Sequence, residues 1–399
     1  MHELTVIATV LISLLALPVL LACGYLLLLT LLSARPRAPR RPSLQLRFDV
    51  IVPAHDEAAV IARVVRSLRQ LDWPAERFRV LVIADNCSDN TADIARTAGA
   101  LVLERSDPLL RGKGYALRYA FERSRNDGYA DAVVVVDADT DARPNLLEAC
   151  AARIEAGAEA VQVHYGVRNP HDSWRTRLMT IAMTAIHVVR SRARERLGVS
   201  CGIRGNGWCL THALLLRVPY EAYTLAEDLE YGIELGRAGV RVAYADEAAV
   251  LGDMVSGEQT AATQRQRWEG GRFAQIRSKT LPLLRAAIRQ RSAVCLDLAV
   301  DLLVLPLSYV ALAAVAYTLI ATLAVWLLHT PPLLAWLGAG GIAGIAAYVL
   351  RGWQLSGTGM RGLFDLARAP FFVIWKVLLM LKRRGSREWL RTEREASRP

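Results

Sequence analysis

The stretch Val133-Val134-Val135-Val136-Asp137-Ala138-Asp139-Thr140 limits what this chain can fold into more than any other. Four β-branched residues in a row read as a strand buried on both faces, as in a parallel sheet covered by helices. Two carboxylates then stand where the strand ends, the edge at which open α/β sheets hold their ligands. Side chains two apart on an extended chain point the same way, so Asp137 and Asp139 face one ligand together while Ala138 turns aside. Two hard oxygen donors side by side suit Mg2+ or Mn2+ carrying a diphosphate. A strand ending in a plain polar turn has the same residues, so the rest of the chain has to decide.

Apolar runs flank this region. Leu4 to Leu32 is almost wholly apolar and long enough to cross about 30 Å of hydrocarbon. It lacks the basic start and short apolar core of a cleaved leader, so 1–33 reads as a span. Arg35, Arg37, Arg40, Arg41 and Arg47 follow with no acid before Asp49, which puts that side in the cytoplasm. Pro36, Pro39 and Pro42 make 34–48 an extended linker. Within 294–350, spans are expected from about Leu302 to Leu328 and from Leu333 to Leu350. Leu363 to Leu381 is apolar too, but Asp365, Arg368 and Pro370 interrupt it and a basic tail follows. It reads as a re-entrant or interfacial helix within a cytoplasmic 351–399. Three spans describe a multi-pass protein of a bacterial-type inner (plasma) membrane. The net charge is +11, with arginines bordering apolar runs, so membrane lipid is the expected partner. Nucleic acid is not, since no motif for it is present. Nothing in the chain names a protein partner. The six cysteines form no C-x-x-C pair and read as free thiols in a reducing compartment.

Residues 49–250 read as an α/β domain in which strand, polar loop and helix recur three times before Asp137. No G-x-G-x-x-G follows the first strand and there is no G-x-x-x-x-G-K-[ST], which disfavours dinucleotide dehydrogenases and P-loop ATPases. The strand ends carry acids instead: Asp56 and Glu57 after Pro53, Asp85, Asp137 and Asp139. Carboxylates accept hydrogen bonds from ribose and base N–H groups and hold divalent ions. Lys113, between two glycines, is either a phosphate contact or a solvated lysine. Gly202 to Trp208 is Gly-rich, and Gly205, Asn206 and Trp208 would line an acceptor sugar; a plain turn beside a packed indole fits the same residues. Glu227 and Asp228 open a helix, placed either for its dipole or as a general base. In 251–293, Gln264, Arg267 and Trp268 share one helix face, suiting a diphosphate and a sugar. Phe273 to Arg291 is basic and amphipathic, as an interfacial helix would be.

Taken in order, Pro53-Ala54-His55-Asp56-Glu57, Asp85-Asn86-Cys87-Ser88-Asp89, Asp137-Ala138-Asp139, Glu227-Asp228 and Gln264-x-x-Arg267-Trp268 resemble the membrane-integrated inverting glycosyltransferases of family 2. Cellulose, chitin, hyaluronan and poly-N-acetylglucosamine synthases and glucosylceramide synthase share that pattern. The resemblance implies a GT-A fold: a Rossmann-like, nucleotide-binding mixed sheet in the cytoplasm, flanked by transmembrane and interfacial helices. It implies a UDP-sugar donor, a glycan or lipid acceptor, and Mg2+ or Mn2+. Asp85 would hold the uracil end, Asp137 would lie near the ribose and diphosphate, and Asp139 would bind the metal. Pro53, Asp56, Glu57, Lys113 and Ala138 would complete the donor site. Asp228 would be the general base with Glu227 beside the acceptor. Gln264, Arg267 and Trp268 would hold the diphosphate and the acceptor sugar. Two departures stand out: Asp56-Glu57 replaces the usual Asn-Glu, and Ala226 precedes Glu227 where Thr is common.

Overall fold

A computed structural model describes residues 2–254 and 258–371, the side chains of 258–269 excepted. The side chains of Gln264, Arg267 and Trp268 therefore lie outside the described residues, as do 372–381 of the last apolar run and the basic tail. Eight strands form one sheet among the described residues: β1 (Phe48–Ala54), β2 (Phe78–Asp85), β3 (Leu101–Arg105), β4 (Ala132–Val135), β5 (Thr140–Ala142), β6 (Ala160–Val167), β7 (Trp208–Thr211) and β8 (Val242–Gly252). Their order across the sheet is β3-β2-β1-β4-β7-β6-β8-β5. β1 pairs in parallel with β2 and β4, and β2 with β3. β7 runs antiparallel between β4 and β6, so the sheet is mixed.

The valine run is buried on both faces, as its composition demands. Val134 and Val136 join Val50 and Val52 under the helices Ile61–Arg69 and Leu146–Glu155. Val133 and Val135 join Ile51, Leu81 and Ile83 on the other face, under the helices Lys113–Asp127 and Glu227–Arg237. Completely buried valines on each side fix the register, because a slip of one residue would exchange the two faces. The exits of β1, β2 and β4 thereby fall along one edge. β5 and β7 were not anticipated from the sequence. With three and four residues, neither is long enough to show a period.

Among the described residues, three helices are long and apolar enough to cross a membrane: His2–Leu31, Leu307–Leu328 and Leu333–Ser356. The span expected from Leu302 begins later, because Pro306 ends the preceding helix, Ala293–Leu303, and caps the next. Small residues bring these helices together: a Cβ on Gly341 would lie 3.3 Å from Cys23 Sγ. The long helix expected from Trp174 to Leu197 is continuous but contains a π turn at Ala185–Val189. It docks on the third span, where a Cβ on Gly352 would fall 2.9 Å from that of Ala185. Asp365, in the helix Gly359–Leu366, is buried and accepts from Arg177 Nε at 2.5 Å, tying the end of the described chain to the same helix.

Phe273 to Gln290 form the second half of the helix Glu258–Gln290. Its buried Leu283 packs with Ile233, Cys295 and Leu298, so much of its apolar face is covered by protein.

Candidate active site

The valine strand delivers Asp137 to the sheet edge, where two further segments meet it. Gly112, at φ +121°, starts the helix Lys113–Asp127. At Gly114 a Cβ would sit 2.1 Å from the Ala222 carbonyl oxygen, so only glycine lets this helix start so close to that segment. Lys113 then reaches inward. Its Nζ donates to Asp137 Oδ1 at 2.6 Å and to the Gly205 carbonyl at 2.8 Å, and lies 3.7 Å from Glu227 Oε1. Burial works against its charge, but Asp137 and Glu227 outweigh that and hold the ammonium above its usual range. Of the two readings the sequence left open, the solvated lysine is excluded.

Glu227 and Asp228 begin the helix Glu227–Arg237. Gly205, at φ +83°, brings the chain against them: a Cβ there would lie 3.3 Å from Asp228 Oδ2. Burial, and then repulsion from Asp228 and Asp137 against the pull of Lys113, pushes Glu227 up to about 7. Asp228 is also raised, mainly by burial, with Lys113 and Arg204 opposing. The pair thus retains a proton to near neutral pH, the condition a base needs to accept and release one there.

Asp139 lies on the same edge, half-buried, with its carboxylate near the Thr140 hydroxyl. The loop is braced from behind by Arg63, which donates to the Asp139 carbonyl at 3.1 Å and pairs with Asp141 and Asp253. On β2, Asp85 is nearly buried and accepts from Arg105 Nη1 at 2.5 Å, its direct neighbour in the β2–β3 register. Asp56 has φ +53°, and its carboxylate accepts from the Ser88 and Asp89 backbone N–H groups. Against the push of burial, those donors hold it below the usual carboxylate range. Asp56 therefore shapes the 86–90 loop, while the Glu57 amide closes it on Thr91 Oγ1 at 2.7 Å. Pro53 lies within β1, half-buried beside Ile83.

Three expected site side chains are elsewhere. Ala138 turns its methyl into the core, leaving only its backbone on the site. Asn206 is fully buried and acts as a strut, accepting from the Asp137 amide at 3.1 Å and donating to Thr140 Oγ1 at 2.7 Å. Both ends of its amide are thus committed, and it does not bind an acceptor. Trp208 is not a stacking platform either: it starts β7, is 1% exposed, and packs against Phe121 and Tyr220. The indole points into the core because Gly207, just before it, adopts φ +68°. Trp208→Ala is expected to cost about 3–5 kcal/mol of folding stability, read by chemical denaturation, with acceptor affinity of the folded protein unchanged.

Sequence reasoning missed Arg63, Arg105 and Tyr165. The Tyr165 ring lies under the site, its hydroxyl 3.1 Å from where a Cβ on Gly252 would be, and burial with the nearby Asp139 and Asp137 raises its pKa. Arg105 was accessible in principle, since a basic residue ending β3 falls beside Asp85 once the strands are aligned.

The profile described as Glycosyltransferase like family 2 matches residues 46–271, more than half of the chain. The chain belongs to the family 2 glycosyltransferases. The chain is 24% identical over 240 residues to Probable glycosyltransferase YdaM of Bacillus subtilis (strain 168), a match covering 56% of this chain and 55% of the relative. It is 29% identical over 231 residues to the Beta-monoglucosyldiacylglycerol synthase of Trichormus variabilis, covering 56% of this chain and 48% of the relative. The chain spans about half the length of these relatives. Among solved structures it is similar to the mannosyltransferase PcManGT from Pyrobaculum calidifontis in complex with GDP-Man and Mn2+. That likeness has a TM-score of 0.53 at 16% identity and covers 91% of this chain and 99% of the other. The fold is GT-A, a mixed α/β sheet with helices able to span a membrane on both sides of it in sequence.

Proposed function

We propose that this glycosyltransferase moves a sugar from a UDP-sugar to a hydroxyl of a lipid acceptor at a membrane, with inversion at the anomeric carbon. One observation carries the reading: Lys113 joins Asp137 at the strand exit to Glu227 on the facing helix, with Asp228 against Gly205 beside them. A carboxylate for the donor side and a carboxyl pair poised near neutrality for the acceptor thus share one cleft. The names of relatives that make monoglucosyldiacylglycerol favour the lipid acceptor. The Gln264-x-x-Arg267-Trp268 motif favours a second reading, chain extension in exopolysaccharide or cell-envelope glycan synthesis, as in the cellulose and chitin synthases it resembles.

Each residue then has a task. Asp85, steadied by Arg105, receives the uracil end of the donor. Asp137 and Lys113 lie at the ribose and diphosphate, and Arg267 and Gln264 complete the diphosphate contacts. The half-buried Asp139 carboxylate offers the hard oxygen donors that Mg2+ or Mn2+ takes, so the residues fit such an ion. When bound, the ion neutralises charge growing on the diphosphate. Glu227 borders the acceptor, and the resemblance would assign Trp268 to the acceptor as well. The acceptor oxygen forms a bond to the anomeric carbon as the bond from that carbon to the diphosphate oxygen breaks, and the electron pair leaves with UDP. Asp228 takes the hydroxyl proton. Residues 49–250 would be cytoplasmic, with 34–48 as linker and the three apolar helices in the membrane.

Purified protein in lipid, given a panel of UDP-sugars and analysed by mass, tests the reading: one sugar added to a lipid supports it, long chains favour the second reading, and no UDP binding in calorimetry with Mn2+ refutes both. Transfer is expected to rise as pH increases from about 6 to 8, because the Glu227–Asp228 pair must release its proton before it can accept another. Stability has the opposite sign. Glu227 sits at about 7 in the fold against an ordinary 4.5, so the unfolded chain binds fewer protons between those values. Its contribution is full below about 4.5 and is lost as pH rises through about 7. A pH–rate profile with parallel thermal unfolding measures both.

A further inference from the structure

Behind the acceptor side of the cleft, four arginines converge on the helix Ala293–Leu303, which leads toward the second span. Asp301 there is 3.0 Å from Arg190 Nη1, 2.8 Å from Arg194 Nη2 and 3.9 Å from Arg204 Nη1. Arg272 donates to the carbonyls of Asp301 and Val304. The remaining acid, Asp297, pairs with Arg194 Nε at 3.1 Å and accepts from the Tyr25 hydroxyl. Four guanidiniums thus share two carboxylates. Arginine stays charged in any protein setting, so among the described residues positive charge is in excess in the cluster, even with Asp228 as a further counter-charge near Arg204. Enclosed charge without a counter-charge is costly.

The excess is not evenly spread. Arg190 and Arg194 are tied to Asp301, Asp297 and the hydroxyls of Tyr348 and Tyr25, with, of their buried nitrogens, only Nη1 of Arg194 lacking a hydrogen-bond partner among the described residues. Arg204, whose side chain is 10% exposed, has no hydrogen-bond partner among the described residues for Nε or Nη2, and Arg272 has none for Nε. Burial, and then the neighbouring arginines, lowers both, Arg272 to about 10. Their positions in the chain are specific. Arg204 precedes Gly205, which abuts Asp228; Arg272 follows Gly271, where a Cβ would lie 2.9 Å from that of Ala226. The backbone beside both arginines therefore flanks the start of the helix that carries the carboxyl pair, and the Arg204 charge acts on Asp228.

We propose that Arg204 and Arg272 form a seat for the phosphate of an anionic lipid headgroup, presented to Asp228 from the membrane side; as an acceptor assignment this rests on the transferase reading above. Guanidinium forks match phosphate oxygens in geometry and charge. The anchor of the seat distinguishes it from a donor-diphosphate site: Asp301 comes from the helix entering the membrane, whereas the donor acids stand at the sheet edge. Tyr25 and Tyr348, which brace Arg190 and Arg194, lie on the first and third membrane-length helices, so the cluster is tied to the helices that read as membrane spans, which favours a lipid headgroup over a free anion.

The test is equilibrium binding to the full chain in a phosphate-free sugar detergent. The probes are short-chain phosphatidylglycerol, the matching uncharged diacylglycerol, inorganic phosphate, and UDP with Mn2+. Phosphatidylglycerol is expected to bind saturably, and diacylglycerol and inorganic phosphate at least about tenfold more weakly. Arg204→Gln and Arg272→Gln should each weaken the phosphatidylglycerol complex by about tenfold or more, and Arg204→Lys by less, while unchanged UDP affinity shows that the variants fold. Inorganic phosphate binding as tightly as the lipid would overturn the lipid assignment. Unchanged lipid binding in the variants, or lost UDP binding with lipid binding intact, would overturn the seat. Sugar transfer to diacylglycerol with phosphatidylglycerol refused would overturn it and leave the transferase reading standing. Saturable, arginine-dependent lipid binding in a protein that never binds UDP would uphold the seat and sink the transferase reading.

Discussion

Asp228→Asn, purified in lipid, is expected to bind UDP with Mn2+ nearly as the parent protein does and to transfer sugar about 10²–10⁴-fold more slowly. The substitution keeps size and hydrogen-bonding shape but removes the ability to accept a proton. The proposed donor contacts are at Asp137 and the strand ends rather than at Asp228, so donor affinity should hardly move. Glu227, one residue earlier, is the natural rival. Its carboxylate is 3.7 Å from the Lys113 ammonium, which engages it electrostatically, whereas Asp228 faces Gly205 and the side from which an acceptor would enter. Glu227→Gln should therefore shift the pH–rate profile to lower pH, by removing the carboxyl that titrates at about 7, with a smaller loss of rate at its optimum. Single-turnover rates and UDP calorimetry on both variants separate these outcomes. If Asp228→Asn transfers at the parent rate and Glu227→Gln does not, the base is Glu227.

The fold was legible in the sequence where residues repeat a period or break one. The valine run announced a strand covered on both faces, and the acids after it marked where that strand leaves the sheet. The helix at Lys113 was legible from its flanking glycines, though not the reason for Gly114, which depends on Ala222 more than a hundred residues away. Of the two readings of the 202–208 stretch, the turn beside a packed indole is the one present, and its glycines turn the chain sharply into β7. Trp208 and Asn206 then follow the geometry of that turn into the interior. The arginine cluster was invisible for another reason. Arg190, Arg204, Arg272 and Asp301 come from four separate segments, and each alone looks like a solvated charge or a flaw in an apolar run. Only docking of the long π-containing helix on the membrane helices brings them together.

Asp139→Ala is expected to abolish the gain in UDP affinity that Mn2+ confers and to lower transfer by at least about a thousandfold, since metal stabilisation of a leaving diphosphate contributes several kcal/mol and each 1.4 kcal/mol is a factor of ten. The neighbouring acid should behave differently. Asp137 already accepts from Lys113 at 2.6 Å, so Asp137→Asn releases a lysine cation into the cleft instead of removing an ion's ligand. That lysine can then turn to the diphosphate, and the variant should keep a measurable, metal-responsive affinity for UDP while losing part of its rate. The loop itself should survive both changes, because it is held from behind: Arg63 grips the Asp139 backbone carbonyl and Asn206 the Asp137 amide, and neither bond uses the altered side chains. UDP titrations with and without Mn2+, repeated after chelation, distinguish the two acids. A metal response lost from Asp137→Asn and kept in Asp139→Ala would reverse their assignment and move the ion toward the lysine, where the local charge makes it least welcome.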